Sequence, residues 1–568
     1  FNFKPSSSTW QWQSYYLQMK QTRSQSAEHT AFESEGDPST SASHLELLRK
    51  NCSESSMDRN NNGYRRQISL NNIESLDLEQ EETKEDQQPP LDWYTKKFSI
   101  KAGVLAGLGG LLFGYDIGVI SGALKLLEHD FELTKLELEL IVSLMTAGAV
   151  FGAAFGGSLC DKVGRKTAIF VTNVLFVAAG LTLFFAPNLA VIYVGRVVLG
   201  VAIAISAIAD IAYLNEVAPP SIRGAMVSSN EWMITVGILF SYSVDYLLRN
   251  VPEGWRYEFG LAALLSVVQA VGMARMPRSP RWLLSQGRRQ EAVQAMLKIY
   301  PTKQQVDHHI LAIEHLQHRA HMATGNLMDT FSGWKHQFVI VGLLMLFQQF
   351  SGHSNILNYA EEVFSRSGMS DEFAAFALIL LGVVKVVFTA FALLMVDRFG
   401  RKRILIGGIL MMMISLILLA VAFSLDDGQP VVVLLASCVI VAAYALGFGP
   451  ITWLITSELF PTAIKGRAIG FALVANWFGN FIVATTFLTL MEYFGEIPTF
   501  TVHAISCLLA LIFVTVVVPE TKGKDPEEIA HLINGNKRKR SGQSSRSKEV
   551  LASKSIIDLF DTREQTMI

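Results

Sequence analysis

The sequence predicts an all-α polytopic membrane protein with twelve transmembrane helices in two six-helix bundles. Three observations carry that expectation: twelve long apolar runs, an alternation of basic with neutral or acidic loops, and an internal duplication of short motifs. Length alone, 568 residues, would suggest three or four soluble domains at about 150 residues each. The distribution of residues removes that reading. Hydrophobic residues make up 50% and charged residues 17% of the chain, yet residues 1–97 and 520–568 are mostly polar, so the middle is far more apolar than the average. The net charge, 48 − 50 = −2, excludes a generally basic nucleic-acid binder. Four cysteines, three of them inside apolar runs, make no disulfide framework.

A helix crosses the ~30 Å hydrocarbon core in about 20 residues and pairs every backbone group where water is absent. Runs of that kind occupy 100–123, 138–160, 167–187, 189–213, 225–247 and 256–276, then 336–362, 370–396, 403–425, 431–456, 466–490 and 497–518. Five charges lie at membrane depth within them: Asp116 on the first, Arg196 and Asp210 on the fourth, Glu231 on the fifth and Lys385 on the eighth. The tenth run contains Gly447, Gly449 and Pro450, which free and kink its backbone. The N-terminal stretch lacks the apolar core of a signal peptide.

Lys and Arg in short loops set orientation. Asp161–Lys166, Arg275–Lys335, Asp397–Arg403, Lys465–Arg467 and the C-terminal tail are basic, whereas Glu128–Glu139 and Ser424–Gln429 are acidic or neutral. The basic set is expected in the cytoplasm, with both termini, so the sequon Asn51-Cys-Ser53 is expected to stay unglycosylated. The expected divisions are a disordered tail (1–97), a first bundle (98–276), a cytoplasmic helical linker (277–335), a second bundle (336–520) and a mostly disordered tail (521–568).

Asp161-Lys-Val-Gly-Arg-Lys recurs as Asp397-Arg-Phe-Gly-Arg-Lys, an offset of 397 − 161 = 236. Glu216-x6-Arg-Gly recurs as Glu458-x6-Lys-Gly, an offset of 458 − 216 = 242. Each copy falls at the same place in its set of six runs, which reads as a parallel duplication with a binding site near the midplane between halves.

Gly164-Arg-Lys166, Pro277-Arg-Ser-Pro-Arg281, Gln348-Gln349, Gly447-Phe-Gly-Pro-Ile-Thr-Trp453, Asn476-Trp477-x2-Asn480 and Pro519-Glu-Thr-Lys-Gly523 together resemble the sugar porter branch of the major facilitator superfamily over about residues 95–525. Within that branch the chain looks most like the class III facilitative glucose transporters. Glu231 and Lys385 stand where most glucose carriers have Gln and Asn, and with Asp116 these are class III features. The chain departs from the pattern at Arg278, usually Glu, at His353 and Asn358, and at Asn355, one place later than usual. The loop Leu425–Pro430 is also shorter than in class III members. The resemblance implies the major facilitator fold and a hexose carried across the plasma membrane by alternating access, facilitatively or with protons.

A hexose presents hydroxyls that donate and accept and one apolar face, which amides and an indole match. Gln348, Gly352, Asn355 and Tyr359 follow helical spacing along one stripe, and Asn476 and Asn480 do the same on the eleventh run. With Gln349, Trp453, Glu231 and Lys385 they form the expected sugar site. Interhelical hydrogen bonding is the alternative reading of each amide. Asp116 and Arg196 lie at matching depth, which makes them an expected pair, either a proton switch or a permanent salt bridge. Glu231 and Lys385 either pair across the site or bond hydroxyls separately, Asp210 has no evident partner, and His353 reads as sugar ligand, titrating group or structural residue. Asp161, Arg165, Glu216, Arg223, Asp397, Arg401, Glu458 and Arg467 form an expected cytoplasmic gating network of ionic latches, or simply mark topology.

Neither an enzyme nor a cofactor is expected, since no nucleotide loop, metal constellation or activated nucleophile stands out. Arg65-Arg-Gln-Ile-Ser69 and Lys537-Arg-Lys-Arg-Ser541 offer sequences for basophilic kinases, and Lys537–Arg540 equally for anionic lipid. A polyol such as myo-inositol, or dehydroascorbate, is the alternative cargo, and a non-transporting sugar sensor the alternative function.

Overall fold

The computed structural model describes residues 93–323, 333–425, 429–524, 528, 529 and 533. The candidate kinase and lipid sequences near Ser69 and Ser541 and the sequon at Asn51 lie outside the described residues. The first half comprises α1 (Trp93–Phe131), α2 (Lys135–Val163), α3 (Arg165–Phe184), α4 (Leu189–Val217), α5 (Arg223–Leu248) and α6 (Gly254–Ala274). Three connecting helices follow: α7 (Pro280–Ser285), α8 (Arg289–Met296) and α9 (Lys303–Ala323). The seventh span comes in three pieces, α10 (Lys335–Phe350), α11 (His353–Asn358) and α12 (Ala360–Arg366). Then come α13 (Asp371–Phe399), α14 (Arg401–Phe423), a tenth span split into α15 (Pro430–Leu446) and α16 (Phe448–Glu458), α17 (Thr462–Phe494) and α18 (Glu496–Val516).

Ten spans among the described residues are long and apolar enough to cross a membrane. The two others are α5, whose Ser, Asn, Glu and Asp lower its apolarity, and the interrupted seventh. The helices also overrun the apolar runs that announce them: α1 has 39 residues. Polar residues fix the ends. Thr134 and Glu137 form a capping box at the start of α2, and Asn188 caps α4 through the Val191 N–H. Gly164 and Gly400, the glycines of the duplicated motif, share one backbone conformation, φ 87° and φ 84°, which side-chain-bearing residues rarely adopt.

Within the first half α1 packs on α5, α2 on α4, and α3 on α4 and α6; in the second, α14 packs on α18 and α15. The halves meet along two seams, α2 against α17 and α5 against α13. The backbones of α2 and α4 touch closely, because the carbonyl of Met145 fills the place of a side chain at Gly200 and that of Val197 the place at Gly148. Trp282, Leu283, Met296 and Ile310 of the connecting helices are buried with Cys160, Ile169 and Tyr213, so these helices belong with the first half. Phe151, Phe155, Leu264, Leu394, Leu435 and Leu509 point outward, as lipid-facing side chains do.

Candidate substrate site between the halves

The seventh span breaks at Ser351 and Gly352, where Gly352 has φ 80°. Gln348 lies just before the break and is 1% exposed. Its Nε2 donates to the Phe448 carbonyl at 2.6 Å and to Thr452 Oγ1 at 3.0 Å, and its Oε1 accepts from Asn476 Nδ2 at 2.7 Å. Gln349 Oε1 accepts from Ser354 Oγ at 2.8 Å and Asn480 Nδ2 at 3.1 Å. Spans seven, ten and eleven thus converge through two amide pairs. Trp453 and Asn480 remain half-buried beside them.

A continuous helix would have placed Asn355 and Tyr359 on the same stripe as Gln348. The break turns them instead toward the backbone of α17: Asn355 Nδ2 lies 3.4 Å from the Val483 carbonyl, and the Tyr359 hydroxyl donates to the Ala484 carbonyl at 2.8 Å. Ser354, which the spacing argument missed, joins the amides in their place. Its signal in the sequence was Gly352, the one residue suited to ending a helix there.

Asp116 and Arg196 are both buried. Among the described residues they share no hydrogen bond or ion pair with each other. Arg196 Nε donates to the Ile141 carbonyl at 2.9 Å, its guanidinium lies 5.9 Å from the Phe259 ring centre, and both Asp116 oxygens lack a partner among the described residues. The expected direct pair is therefore replaced by two buried charges that share no bond. Glu231 and Lys385 likewise do not pair. Lys385 Nζ lies 3.0 Å from His353 Nε2. Asp210 does have partners: Ser206 Oγ donates to it at 2.5 Å and Gln269 Nε2 at 3.4 Å.

Ion pairs join the halves at the end opposite the basic loops. Lys125 reaches Asp371 at 2.5 Å and Glu361 at 3.9 Å, Arg249 reaches Glu361 at 3.5 Å, and Lys135 reaches Glu362 at 3.2 Å. Glu139 of α2 accepts from the Thr489 N–H of α17 at 2.7 Å. Sequence reasoning missed this set, because each member sits in or beside a loop and reads as an ordinary solvated charge.

At the basic end the duplicated motifs close within their own halves. Arg165 pairs with Asp161 at 3.1 Å and Glu216 at 2.8 Å, while Arg401 pairs with Glu458 at 3.0 Å. Ser279 donates to Glu216, and Thr521 donates to Glu458 at 2.5 Å. These two hydroxyls are a third motif pair, at 521 − 279 = 242. Arg223 begins α5 and Arg467 lies in the first turns of α17; the Asp397 side chain lies outside the described residues. Burial raises the Glu520 carboxyl, but N–H donors of Lys522, Arg401, Lys402 and Thr521 outweigh it and hold the group below the usual carboxylate range.

Two repeat-related halves that share a polar midplane and are bolted together at one end define a membrane transporter of the major facilitator type. Residues 102–533 match the family described as sugar (and other) transporter, and the chain belongs to it. The glucose transporter GlcP of Staphylococcus epidermidis is 34% identical, the alignment covering 75% of this chain and 96% of that protein. Solute carrier family 2, facilitated glucose transporter member 12, of Xenopus laevis is 32% identical, with 76% and 89% covered. The inward-open conformation of the xylose transporter XylE from E. coli superposes with a TM-score of 0.67 at 30% identity, covering 76% of this chain and 99% of that one. The proton:xylose symporter XylE bound to 6-bromo-6-deoxy-D-glucose gives 0.67 at 31%, covering 77% and 99%.

Proposed function

We propose that this protein carries a hexose across the plasma membrane by alternating access, and that the described arrangement is its inward-facing state with both termini in the cytoplasm. The observation that carries this reading is the convergence of Gln348, Gln349 and Ser354 of the seventh span with Asn476 and Asn480 of the eleventh, beside Trp453 of the tenth. Amides exchange their mutual hydrogen bonds for sugar hydroxyls at little net cost, and the indole supplies a flat surface for the ring. Glu231 and Lys385 add an acceptor and a donor from opposite halves. The end carrying Lys125, Lys135 and Arg249 is the closed extracellular gate. The latches at Arg165 and Arg401 stiffen each half as a body, so that the halves rock against one another around the sugar.

Asp116 and Arg196 favour coupling to protons over simple facilitation. Both are buried and share no bond with each other, so a proton on Asp116 decides whether an ion pair forms as the halves move. The relative described as a proton:xylose symporter supports the same reading. Glucose uptake into proteoliposomes, with and without an imposed pH gradient, tests both statements: uphill accumulation that collapses with the gradient is expected, and uptake that only equilibrates removes the coupling. Competition by myo-inositol and dehydroascorbate against glucose separates the cargoes. Glucose exchange by a chain lacking residues 1–95 and 536–568 is expected, and its absence would favour a sensor.

A further inference from the structure

The next step rests on the sugar-carrying reading and concerns how the lysine of that site is held. Lys385 projects from α13 and is 7% exposed. Its Nζ lies 3.0 Å from His353 Nε2 and 5.1 Å from the centre of the Tyr444 ring. His353 and Tyr444 are stacked, with ring centres 3.4 Å apart and planes within 4°. An ammonium only donates, so His353 Nε2 accepts and the imidazole proton sits on Nδ1. The lysine is therefore satisfied by a lone pair and a π face, both from its own half.

A buried ammonium is more commonly matched by a carboxylate. The candidate is Glu231 of the other half, on α5, which packs against the α13 that carries Lys385. Yet Glu231 and Lys385 share no hydrogen bond or ion pair among the described residues. His353 is also rigidly placed. It is the first residue of α11, directly after Gly352, and the His503 ring fills the space a side chain at Gly352 would take. His503 Nδ1 donates to the Phe350 carbonyl at 2.9 Å, fixing the other side of the break.

We propose that His353 and Tyr444 are positioning residues that hold the Lys385 ammonium as a hydroxyl donor to the sugar and keep it out of an ion pair with Glu231. Glu231 then retains its lone pairs for a sugar hydroxyl. Without His353 the flexible lysine swings to Glu231, and the sugar loses both partners together.

The test is glucose exchange by the full chain in proteoliposomes, comparing wild type, His353→Ala, His353→Gln, Lys385→Asn and the His353→Ala/Lys385→Asn double variant. His353→Ala should raise KM about 10-fold with kcat changed less than about 2-fold. His353→Gln, whose side-chain carbonyl accepts from the ammonium, should restore KM to within about 3-fold of wild type. In the Lys385→Asn background His353→Ala should add less than about 2-fold, since His353 acts only through the lysine. An unchanged KM in His353→Ala, or costs that simply multiply in the double variant, overturns the proposal. A sugar-free readout separates it from the functional reading: cyanate reacts with the neutral amine, so modification of Lys385, followed by mass spectrometry, should be at least about 5-fold slower in His353→Ala, where the ion pair with Glu231 holds the ammonium protonated. If wild type exchanges no glucose the functional reading falls, and the cyanate rates still decide whether His353 holds Lys385, equal rates overturning it.

Discussion

Arg278 and Glu520 occupy equivalent places in the two halves, 520 − 278 = 242 residues apart, and carry opposite charge. Glu520 lies across the first turn of α14, accepting from the N–H groups of Arg401 at 3.0 Å and Lys402 at 3.2 Å. α3 starts from Gly164 in the same backbone conformation with no side-chain cap. Arg278→Glu should supply the missing carboxylate. Such a charge at a helix N-terminus is worth about 0.3–1 kcal/mol, and thermal unfolding in detergent should show a small rise in Tm; a fall would refute the equivalence.

The second half offers the reciprocal test through pH. Folding lowers the Glu520 carboxyl, so its stabilising contribution is complete above the unfolded carboxyl range, near ~4.3, and disappears as pH falls through the lower folded value. Glu520→Gln should therefore melt below wild type at pH 7, with the gap closing in acid. A gap that stays constant across that range contradicts the assignment.

Gln348 and Gln349 are neighbours with different expected costs. Gln348→Ala strands the Asn476 amide in a buried setting, at about 1–3 kcal/mol, while the Thr452 hydroxyl keeps its bond to the Phe448 carbonyl at 2.7 Å. Glucose KM should rise at least about 10-fold, with a measurable loss of Tm. Gln349→Ala should cost less, because Ser354 and Asn480 are half-buried and keep each other at 3.3 Å. Equal effects on Tm would argue against this ordering.

Asp116→Asn keeps the shape of the carboxyl and removes its charge. Exchange of labelled glucose should persist, while accumulation driven by a proton gradient should disappear. A variant that still concentrates sugar would rule out coupling through Asp116.

Glu361, shared by Lys125 and Arg249, is the acceptor that ties three helices across the halves. Glu361→Gln should shift the balance toward the state open at that end by about 10-fold, equivalent to about 1.4 kcal/mol. Spin-label distances between the ends of α2 and α17 would read the two populations. An unaltered distribution would remove Glu361 from the gate.

The duplication was legible because Gly164 and Gly400 need one unusual backbone conformation, and the acids at 216 and 458 each need a basic partner. Ser279 and Thr521 share a role but not a residue type, so the third pair emerged only in three dimensions. Apolar runs gave the span positions but not the break at Gly352, where helical periodicity held on paper and failed in space. The five intramembrane charges were conspicuous against apolar neighbours. Glu139, Asp245, Glu258 and Glu361 are equally buried, at 0%, 3%, 0% and 4% exposure, yet lie near loops, where sequence gives no sign of burial.

The two spans least suited to hydrocarbon, α5 and the broken seventh, are the ones that carry Glu231 and the paired glutamines. During biosynthesis each is expected to leave the translocon reluctantly, because a lone polar helix has no neighbour to satisfy its side chains. α1 is made before α5 and packs against it, whereas the seventh span must wait for α16 and α17, made later, to complete its amide pairs. Substitutions in those late partners should therefore reduce the yield of correctly inserted protein as well as sugar affinity, linking the chemistry of recognition to the order in which the chain enters the bilayer.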